Sequence, residues 1–365
     1  MHQFTIGIEE EFQIIEPGTL DLCSYKHNML EKVADELGDK AKAEMHSAVI
    51  ELTTDICEDM HKAKEEIYLL RRKLIEVADK ENLLIAAAGT HPFAKWKDQN
   101  ITNHPRYLEI VEEMQDAARQ NLIFGLHIHI GVESRDAGVY MMNAVRYFLP
   151  HIFALSTNSP FWDGDNTGFK SFRSKVFDKF PRTGIPEYFH SLSDYDDFVN
   201  LLVKTGCIDD GKKIWWDVRA HPYYKTIEFR ICDVTLRPME TLAIAALCQA
   251  LVAKLDRLRK KNLNFRLYSR SLINENKWRA ARYGLGGKLI DFGREKEVAI
   301  RNLIYEFINF VDEVVDDLGS REYLDYIYQM LDDGSGADRQ LQVFNETKDL
   351  KKVVEYCVKE TRLGI

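Results

Sequence analysis

Apolar and polar positions alternate with a period of two at several points in the first two thirds of the chain, and helical spacing takes over after Pro238. Residues 4–15 (FTIGIEEEFQII), 48–54 (AVIELTT), 83–89, 122–132, 214–220 and 225–234 have the length and apolar content of strands. Between them, 60–80 carries Ile67, Leu70, Leu74 and Val77 at helical spacing, and 106–119 and 137–156 read as further helices. Beyond Pro238 everything reads as helix: 238–261, 275–283, 294–318, 321–332 and 347–362, with one glycine-rich break at 284–287. Residues 159–186 lack periodicity and hold three prolines and three glycines. A long irregular segment inside a compact body is more often functional than idle, and it reads as a lid. The pattern predicts an α+β body over 1–290 and a helical extension over 291–365 packed on it.

The strand faces are chemically uneven. Side chains on a strand point alternately to its two sides. Glu9 and Glu11 therefore share a face with Gly7, and Glu51 shares one with Val49 and Thr53. In Gly125–Gly131 both His127 and His129 oppose Leu126, Ile128 and Ile130, and in 226–231 Glu228 and Arg230 oppose Ile227, Phe229 and Ile231. Each face alone fits an antiparallel sheet with one wet side. Four together concentrate metal-ligand residue types, where Thr, Lys, Ser and Gln would be the usual choice. Adjacent strands lie about 4.8 Å apart, so carboxylates on neighbours can bridge one divalent cation or hold two. Glu10, facing away from Glu9, reads as structural, which predicts a nearly silent Glu10→Gln.

Composition narrows the partners. The 365 residues carry 49 Lys and Arg against 58 Asp and Glu, a net charge of −9, which disfavours a nucleic-acid surface. No CxxC pair occurs among the six cysteines, and the first apolar run comes after Glu9–Glu11; both features predict a cytoplasmic protein with reduced thiols. The most apolar span, about 139–155, is interrupted by Arg146, Pro150 and His151 and predicts no membrane helix.

The motifs, taken in order, are Gly-Ile-Glu-Glu-Glu at 7–11, Glu-Leu-Thr-Thr at 51–54, Gly-Leu-His-Ile-His-Ile-Gly at 125–131 and Ser-Pro-Phe-Trp-Asp-Gly at 159–164. They continue with Ser-Phe-Arg-Ser at 171–174, Pro-Arg-Thr-Gly-Ile-Pro at 181–186, Thr-Ile-Glu-Phe-Arg-Ile-Cys-Asp at 226–233 and Trp-Arg-Ala-Ala-Arg-Tyr-Gly at 278–284. In this order the chain resembles the bacterial carboxylate–amine ligases, also called type 2 glutamate–cysteine ligases, over about residues 4–285. The resemblance implies a glutamine synthetase-like fold: a curved, mainly antiparallel sheet forming an active-site funnel, flanked by helices, with a helical C-terminal third. It implies an ATP-dependent ligase that phosphorylates a carboxylate, the γ-carboxyl of glutamate, and forms an amide with an amine. Glu9, Glu11, Glu44, Glu51, His127 and Glu228 would hold two or three Mg²⁺ or Mn²⁺ ions. Glu228, one of these ligands, and Arg230 would be the catalytic residues, with Arg230 on the transferring γ-phosphate, and Arg219 would hold the nucleotide phosphates. Arg173, Arg182, His129 and Arg282 would meet substrate. Small-molecule substrates and a homodimer follow from the same resemblance, with no nucleic acid and no membrane.

Two other classes fit the same residues. A metal-dependent amide hydrolase would use the carboxylates to activate water, and a binding homologue would keep the site without turnover. The arginines favour phosphoryl transfer, which is mostly cation and guanidinium positioning. Glu228→Gln is then expected to abolish turnover with the fold intact. Trp215 and Trp216 suggest either adenine stacking or core.

Overall fold

The computed structural model describes residues 4–24 and 28–365. Strands β1 (Ile6–Ile15), β2 (Ala41–Ala43), β3 (Val49–Thr53), β4 (Leu84–Ala86) and β5 (Gly125–Gly131) come from the first half of the chain. Two short strands, β6 (Phe161–Trp162) and β7 (Asp165–Asn166), pair as a hairpin, and β8 (Thr183–Gly184) runs parallel to β9 (Trp215–Trp216). Strands β10 (Val218–Ala220) and β11 (Thr226–Asp233) complete the main sheet. Its order is β10-β11-β5-β1-β3-β2, with β4 beside the far half of β1, and each pairing is antiparallel.

The apolar face predicted from alternation is the buried one. Ile6, Ile8, Leu126, Ile128, Ile130, Ile227 and Phe229 join one core cluster with Leu242, Ala246 and Leu251 of helix Pro238–Lys260. That helix starts at a proline, whose missing N–H costs nothing in the first turn, and Glu240 closes its capping box. Among the described residues it is long and apolar enough to cross a membrane, yet 89% of its most apolar window is buried inside the protein. The most apolar span is therefore here and not at 139–155. Helix Met60–Lys80 is capped by Asp59 and places Leu70, Leu74 and Val77 in a second core with Phe12 and Ile14 of β1.

Several predicted elements need correction. Residues 106–119 form two helices, Pro105–Met114 and Asp116–Arg119, because Gln115 turns to φ 51°. Residues 137–156 break into Arg135–Val145, a short 3-10 turn and Leu149–Ser156, with Pro150 unable to donate in the ladder. The helix expected at 294–318 begins only at Ile300; before it, β12 (Lys288–Asp291) and β13 (Lys296–Ala299) form a hairpin. Its turn is set by Asp291 Oδ1, which accepts from the N–H groups of Gly293 and Arg294 at 2.9 Å. Helices Leu192–Lys204 and Gly336–Thr347 were not expected. The C-terminal helices Ile300–Val315 and Arg321–Asp333 share the core cluster of Pro238–Lys260, and Val353, Val354 and Cys357 of Leu350–Thr361 share the cluster that holds Ile85 and Ala86 of β4.

Segment 159–186 is less free than a lid. Ser159 Oγ and Ser171 Oγ donate to Asp233 at 2.6 and 2.8 Å, and the backbone N–H of Asn158 donates to it at 2.8 Å. Asp233 stands opposite Gly125 because β11 shifts register between Phe229 and Cys232. One extra residue on the bulged strand restores the alternation on the other side of the irregularity. The segment is thus clamped to the end of β11.

Candidate functional site

The polar face of the sheet is the floor of a cavity of about 380 Å³. Register explains how residues distant in sequence meet there. Glu11 lies directly across from Glu51, Glu9 from His127, and Glu228 from both His129 and Arg219. Directly opposed side chains on antiparallel strands are about 5 Å apart at Cβ, close enough to share a ligand. Glu44 enters from the turn between β2 and β3.

Among the described residues, three sets of donor atoms each fall within 4.8 Å of one another: Glu9, His129 and Glu228; Glu9, Glu51 and His127; and Glu11, Glu44 and Glu51. Their electrostatics differ along the floor. At the β11 end, burial would raise the Glu228 carboxyl, but Arg219 and Arg230 outweigh it and hold the group well below the carboxylate range. Arg219 Nη2 stands 2.6 Å from Glu228 Oε2, and Arg230 Nη1 bonds Oε1. In the middle, burial again opposes ionisation of Glu9, and the hydrogen bond from His127 with the nearby His129 ring reverses it and keeps its pKa low. His127 Nδ1 lies 3.1 Å from Glu9 Oε2. At the β3 end the balance tips the other way. Burial, reinforced by Glu51 and Glu11, pushes Glu44 well up, and burial with Glu9 raises Glu51 to about 7 despite Lys42.

Carboxylates gathered this closely with little counter-charge are a donor set that could hold a divalent cation. His129 supports the same conclusion: its Nε2 is buried without a hydrogen bond, 3.5 Å from Glu9 Oε1. Oxygen donors with an imidazole suit Mg²⁺ or Mn²⁺, and the residues present fit such ions.

Ten of the expected residues line this cavity: Glu9, Glu11, Glu44, Glu51, His127, His129, Arg173, Arg219, Glu228 and Arg230. Arg173 is buried and reaches only backbone carbonyls at 3.5 Å, with its Nε unpartnered. Gly125 makes room for it, since a Cβ there would lie 2.4 Å from Arg173 Nη2. Arg230 pairs with Glu228, two residues along the same strand face.

Arg182 and Arg282 are not brought to the cavity lining. Arg182 sits in a turn at φ 59°, donates to Lys213 O and packs its guanidinium over Trp215. Arg282 bonds Gly168 O and covers Phe169 and Tyr283 at the surface. Trp215 lines the cavity, whereas Trp216 is in the core with Phe189 and Phe198.

Sequence reasoning missed Lys42, His46, Arg106, Asn121, Lys212 and His221 in the lining. Lys42 was findable, because it stands across from Glu51. The others lie on turns and helix ends, where no periodicity marks a face.

Residues 5–356 match the glutamate–cysteine ligase family 2. A relative from Solibacter usitatus, provisionally named glutamate–cysteine ligase 2, is 56% identical over 99% of this chain and 94% of its own length. One of the same provisional name from Chloroflexus aurantiacus is 52% identical over 99% and 93%. Among solved structures, glutamate–cysteine ligase from Francisella tularensis, in complex with AMP, superposes with a TM-score of 0.68 at 12% identity, over 99% of this chain and 90% of that one. The bifunctional glutathione synthetase from Pasteurella multocida gives 0.71 at 13% identity over 98% of this chain, which spans about half of that larger enzyme. These two share the fold, the glutamine synthetase-like arrangement of curved antiparallel sheet and flanking helices. The hydrolase and the non-catalytic homologue find no support among these relatives. The chain belongs to glutamate–cysteine ligase family 2 and is an ATP-dependent carboxylate–amine ligase acting on small molecules.

Proposed function

We propose that the cavity joins the γ-carboxylate of glutamate to an amine through an acyl phosphate. A carboxylate oxygen attacks the γ-phosphorus of ATP, the bond to the β–γ bridging oxygen breaks, and ADP leaves. The amine nitrogen then adds to the acyl carbon, inorganic phosphate departs with the electrons of the acyl C–O bond, and the proton lost by the nitrogen leaves with that phosphate. The provisional names of the relatives point to cysteine as the amine.

The observation that carries this reading is Glu228 held between Arg219 and Arg230 on a wall of carboxylates. Phosphoryl transfer needs guanidinium donors set where charge accumulates. Arg230, whose Nε is buried without a partner, holds the transferring phosphate, and Arg219 holds the nucleotide phosphates. Arg173 takes the substrate carboxylate with its free donors, and His129 orients the same substrate. Glu9, Glu11, Glu44, Glu51, His127 and Glu228 hold two or three Mg²⁺ or Mn²⁺ ions. Bound there, such ions supply the positive charge that phosphate oxygens require. Arg182 and Arg282 have no part in this scheme. Arg173, Phe177 and Phe180 of the clamped segment line the cavity and help keep water from the acyl phosphate.

An enzyme that consumes ATP and carries six unpaired thiols suits a reducing compartment, the cytoplasm. We further read 291–365 as part of the same folding unit and the working enzyme as a homodimer.

The test is ADP release. ADP should appear only when ATP, glutamate and an amine are all present, and Glu228→Gln should abolish it. Product formed without ATP would refute the reading. Because Glu228 is the counter-charge of two arginines, Glu228→Gln is also expected to lower stability, which revises the expectation of an unperturbed fold.

A further inference from the structure

Helix Arg270–Tyr283 puts no side chain into the cavity lining, yet it grips two of the segments that do. Ala281 O accepts from the N–H groups of Lys170 and Ser171 at 2.7 and 3.1 Å, just ahead of Arg173. One turn earlier, Lys277 is turned inward and is only 5% exposed. Its Nζ donates to Asp217 Oδ1 at 3.1 Å and to Asp178 Oδ1 at 3.3 Å. Burial would lower the pKa of this lysine, but Asp217 and Asp178 outweigh it and raise it, so the bridging group is an ammonium.

The two carboxylates belong to different parts of the site. Asp178 ends the short helix Arg173–Phe177, its N–H bonding Ser174 O at 3.0 Å. Arg173 and Phe177, at the two ends of that helix, both line the cavity. Asp217 lies between β9 and β10, two residues before Arg219. Its backbone O accepts from the Arg230 N–H at 2.8 Å, where β11 shifts its register on β5. Its own N–H donates to Gly184 O of β8 at 2.8 Å. Lys277 therefore joins the helix that presents Arg173 to the backbone contact that fixes Arg230.

The two arginines meet at this irregularity, with Arg173 Nη2 and Nη1 facing Arg230 O and Ile231 O at 3.5 Å. Ser159 Oγ and Ser171 Oγ, both bound to Asp233, hold the Arg173 helix at its first turn. One attachment lets a short helix pivot, and Lys277 supplies the second at its far end. Apolar packing of similar volume often stabilises a protein as well as a buried ion pair does, or better. What the three charges add is a fixed distance.

We propose that Lys277 is a positioning residue for phosphoryl transfer: by holding Asp178 to Asp217 it sets the distance between Arg173, on the substrate carboxylate, and Arg230, on the γ-phosphate. The inference rests on the ligase reading above and adds to it a residue outside the cavity. A displacement of about 1 Å between reacting groups can cost about a hundredfold in rate while each group keeps its own binding contacts. Loss of Lys277 should therefore be felt in turnover and not in affinity.

Positional isotope exchange reads this step without an amine. ATP carrying heavy oxygen in the β–γ bridge is incubated with the protein, Mn²⁺ and glutamate. A carboxylate oxygen takes the γ-phosphoryl group and the bridge oxygen leaves on ADP; the β-phosphate turns, and return of the phosphoryl group leaves the label in a non-bridging position. The wild type should exchange only when glutamate is present. No exchange in the wild type would end the ligase reading on glutamate, and Lys277's role with it. Against an active wild type, Lys277→Met is expected to slow exchange at saturating ATP and glutamate at least tenfold, with the half-saturating concentrations changed less than threefold. Lys277→Arg, which keeps the charge and can span both carboxylates, should recover part of the rate. Asp178→Asn cuts the bridge at its more exposed end, should give a smaller loss of the same kind, and reads the proposal if Lys277→Met does not fold. Lys175→Met, which removes the other cation beside Asp178, should exchange at the wild-type rate. The proposal is overturned if the folded bridge variant exchanges at the wild-type rate while its Tm falls, which makes the bridge structural only. It is equally overturned if the half-saturating concentrations rise tenfold with the limiting rate unchanged.

Discussion

Arg71 Nε lies 2.9 Å from Glu10 Oε2 on the side of β1 turned away from the cavity, and neither side chain is more than 1% exposed. Thr241 Oγ1 donates to the same carboxylate, and the guanidinium also donates to Leu236 O and Thr235 O. Adjacent glutamates on one strand thus do opposite work: Glu9 faces the cavity, while Glu10 ties β1 to helices Met60–Lys80 and Pro238–Lys260.

Glu10→Gln is therefore not silent, contrary to the expectation from sequence. It leaves a fully buried guanidinium without counter-charge, and breaking such a pair costs about 3–5 kcal/mol. The amide retains one acceptor, so about 3 kcal/mol is expected. Urea denaturation should show a lower midpoint, while kcat at a temperature where the variant is folded stays near wild type. Coincident denaturation curves would refute the pairing as a stabilising feature.

Divalent cations should stabilise the protein more at pH 8 than at pH 6. Without a cation Glu51 sits at about 7, raised mainly by burial, and Glu44 is well up for the same reason. A carboxyl raised on folding contributes stability below its unfolded pKa and loses it as pH rises through the folded value. For Glu51 the metal-free protein gives up this contribution between roughly pH 4.5 and 7. A cation binding at pH 6 must displace the Glu51 proton, whereas at pH 8 Glu51 is mostly ionised. The rise in Tm on adding Mn²⁺, relative to EDTA, should be larger at pH 8, and calorimetry at pH 6 should detect proton release. An equal rise at both pH values would rule out the Glu11, Glu44 and Glu51 set as a cation site.

The reach of the sequence follows from which physical signals are local. Alternation put Glu9, Glu11, His127, His129, Glu228 and Arg230 on their correct faces, because a strand's period of two needs no knowledge of its neighbours. It showed Glu10 on the hidden face but could not supply Arg71, whose meeting with it depends on how a helix 61 residues away packs. The bulge in β11 was equally invisible, so Asp233 was not recognised as the clamp for Ser159 and Ser171. Arg182 and Arg282 were expected in the site from motif order alone, and order does not report direction. The β12–β13 hairpin was hidden by apolar spacing that a helix fits as well as two four-residue strands do.

Stability should fall as pH drops below about 6.5, in part through His91. Its Nδ1 accepts from the N–H groups of Phe93 and Ala94 at 3.3 and 3.0 Å, and its Nε2 faces Leu20 O at 3.0 Å. That arrangement requires the neutral ring, and burial pushes its pKa down to about 3. The unfolded chain takes up a proton that the folded protein refuses, so the contribution is whole above about 6.5 and is lost as pH falls towards 3. Each pH unit in that window costs about 1.4 kcal/mol, so about 2 kcal/mol disappears between pH 6.5 and 5. His151, lowered by burial to about 4, adds to the trend. In EDTA, the pH dependence of the denaturation midpoint should be shallower in His91→Gln than in the wild type. Parallel profiles would contradict this assignment.

Asp233→Asn should act on the substrate carboxylate through Arg173. Oδ2 of Asp233 accepts from Ser159 Oγ and the Asn158 N–H, and Oδ1 accepts from Ser171 Oγ. An amide nitrogen at the Oδ2 position would set a donor against the Asn158 N–H, so the amide turns it towards Ser171, reverses that bond and removes the negative charge that all three donors share. Ser159 Oγ also accepts from the Arg173 N–H at 3.1 Å, so loosening the clamp shifts the base of that side chain. Arg219 stands on β10, and Arg230 lies on β11 on the far side of the register shift from Asp233, where Glu228 holds it. The KM for glutamate is therefore expected to rise tenfold or more, with a much smaller change in the KM for ATP, and limited proteolysis should cut faster within 159–186. Asp233→Glu, which keeps the charge and both acceptors, should recover part of the glutamate affinity. If the two KM values rise together, the clamp is only a stability feature and Arg173 does not depend on it.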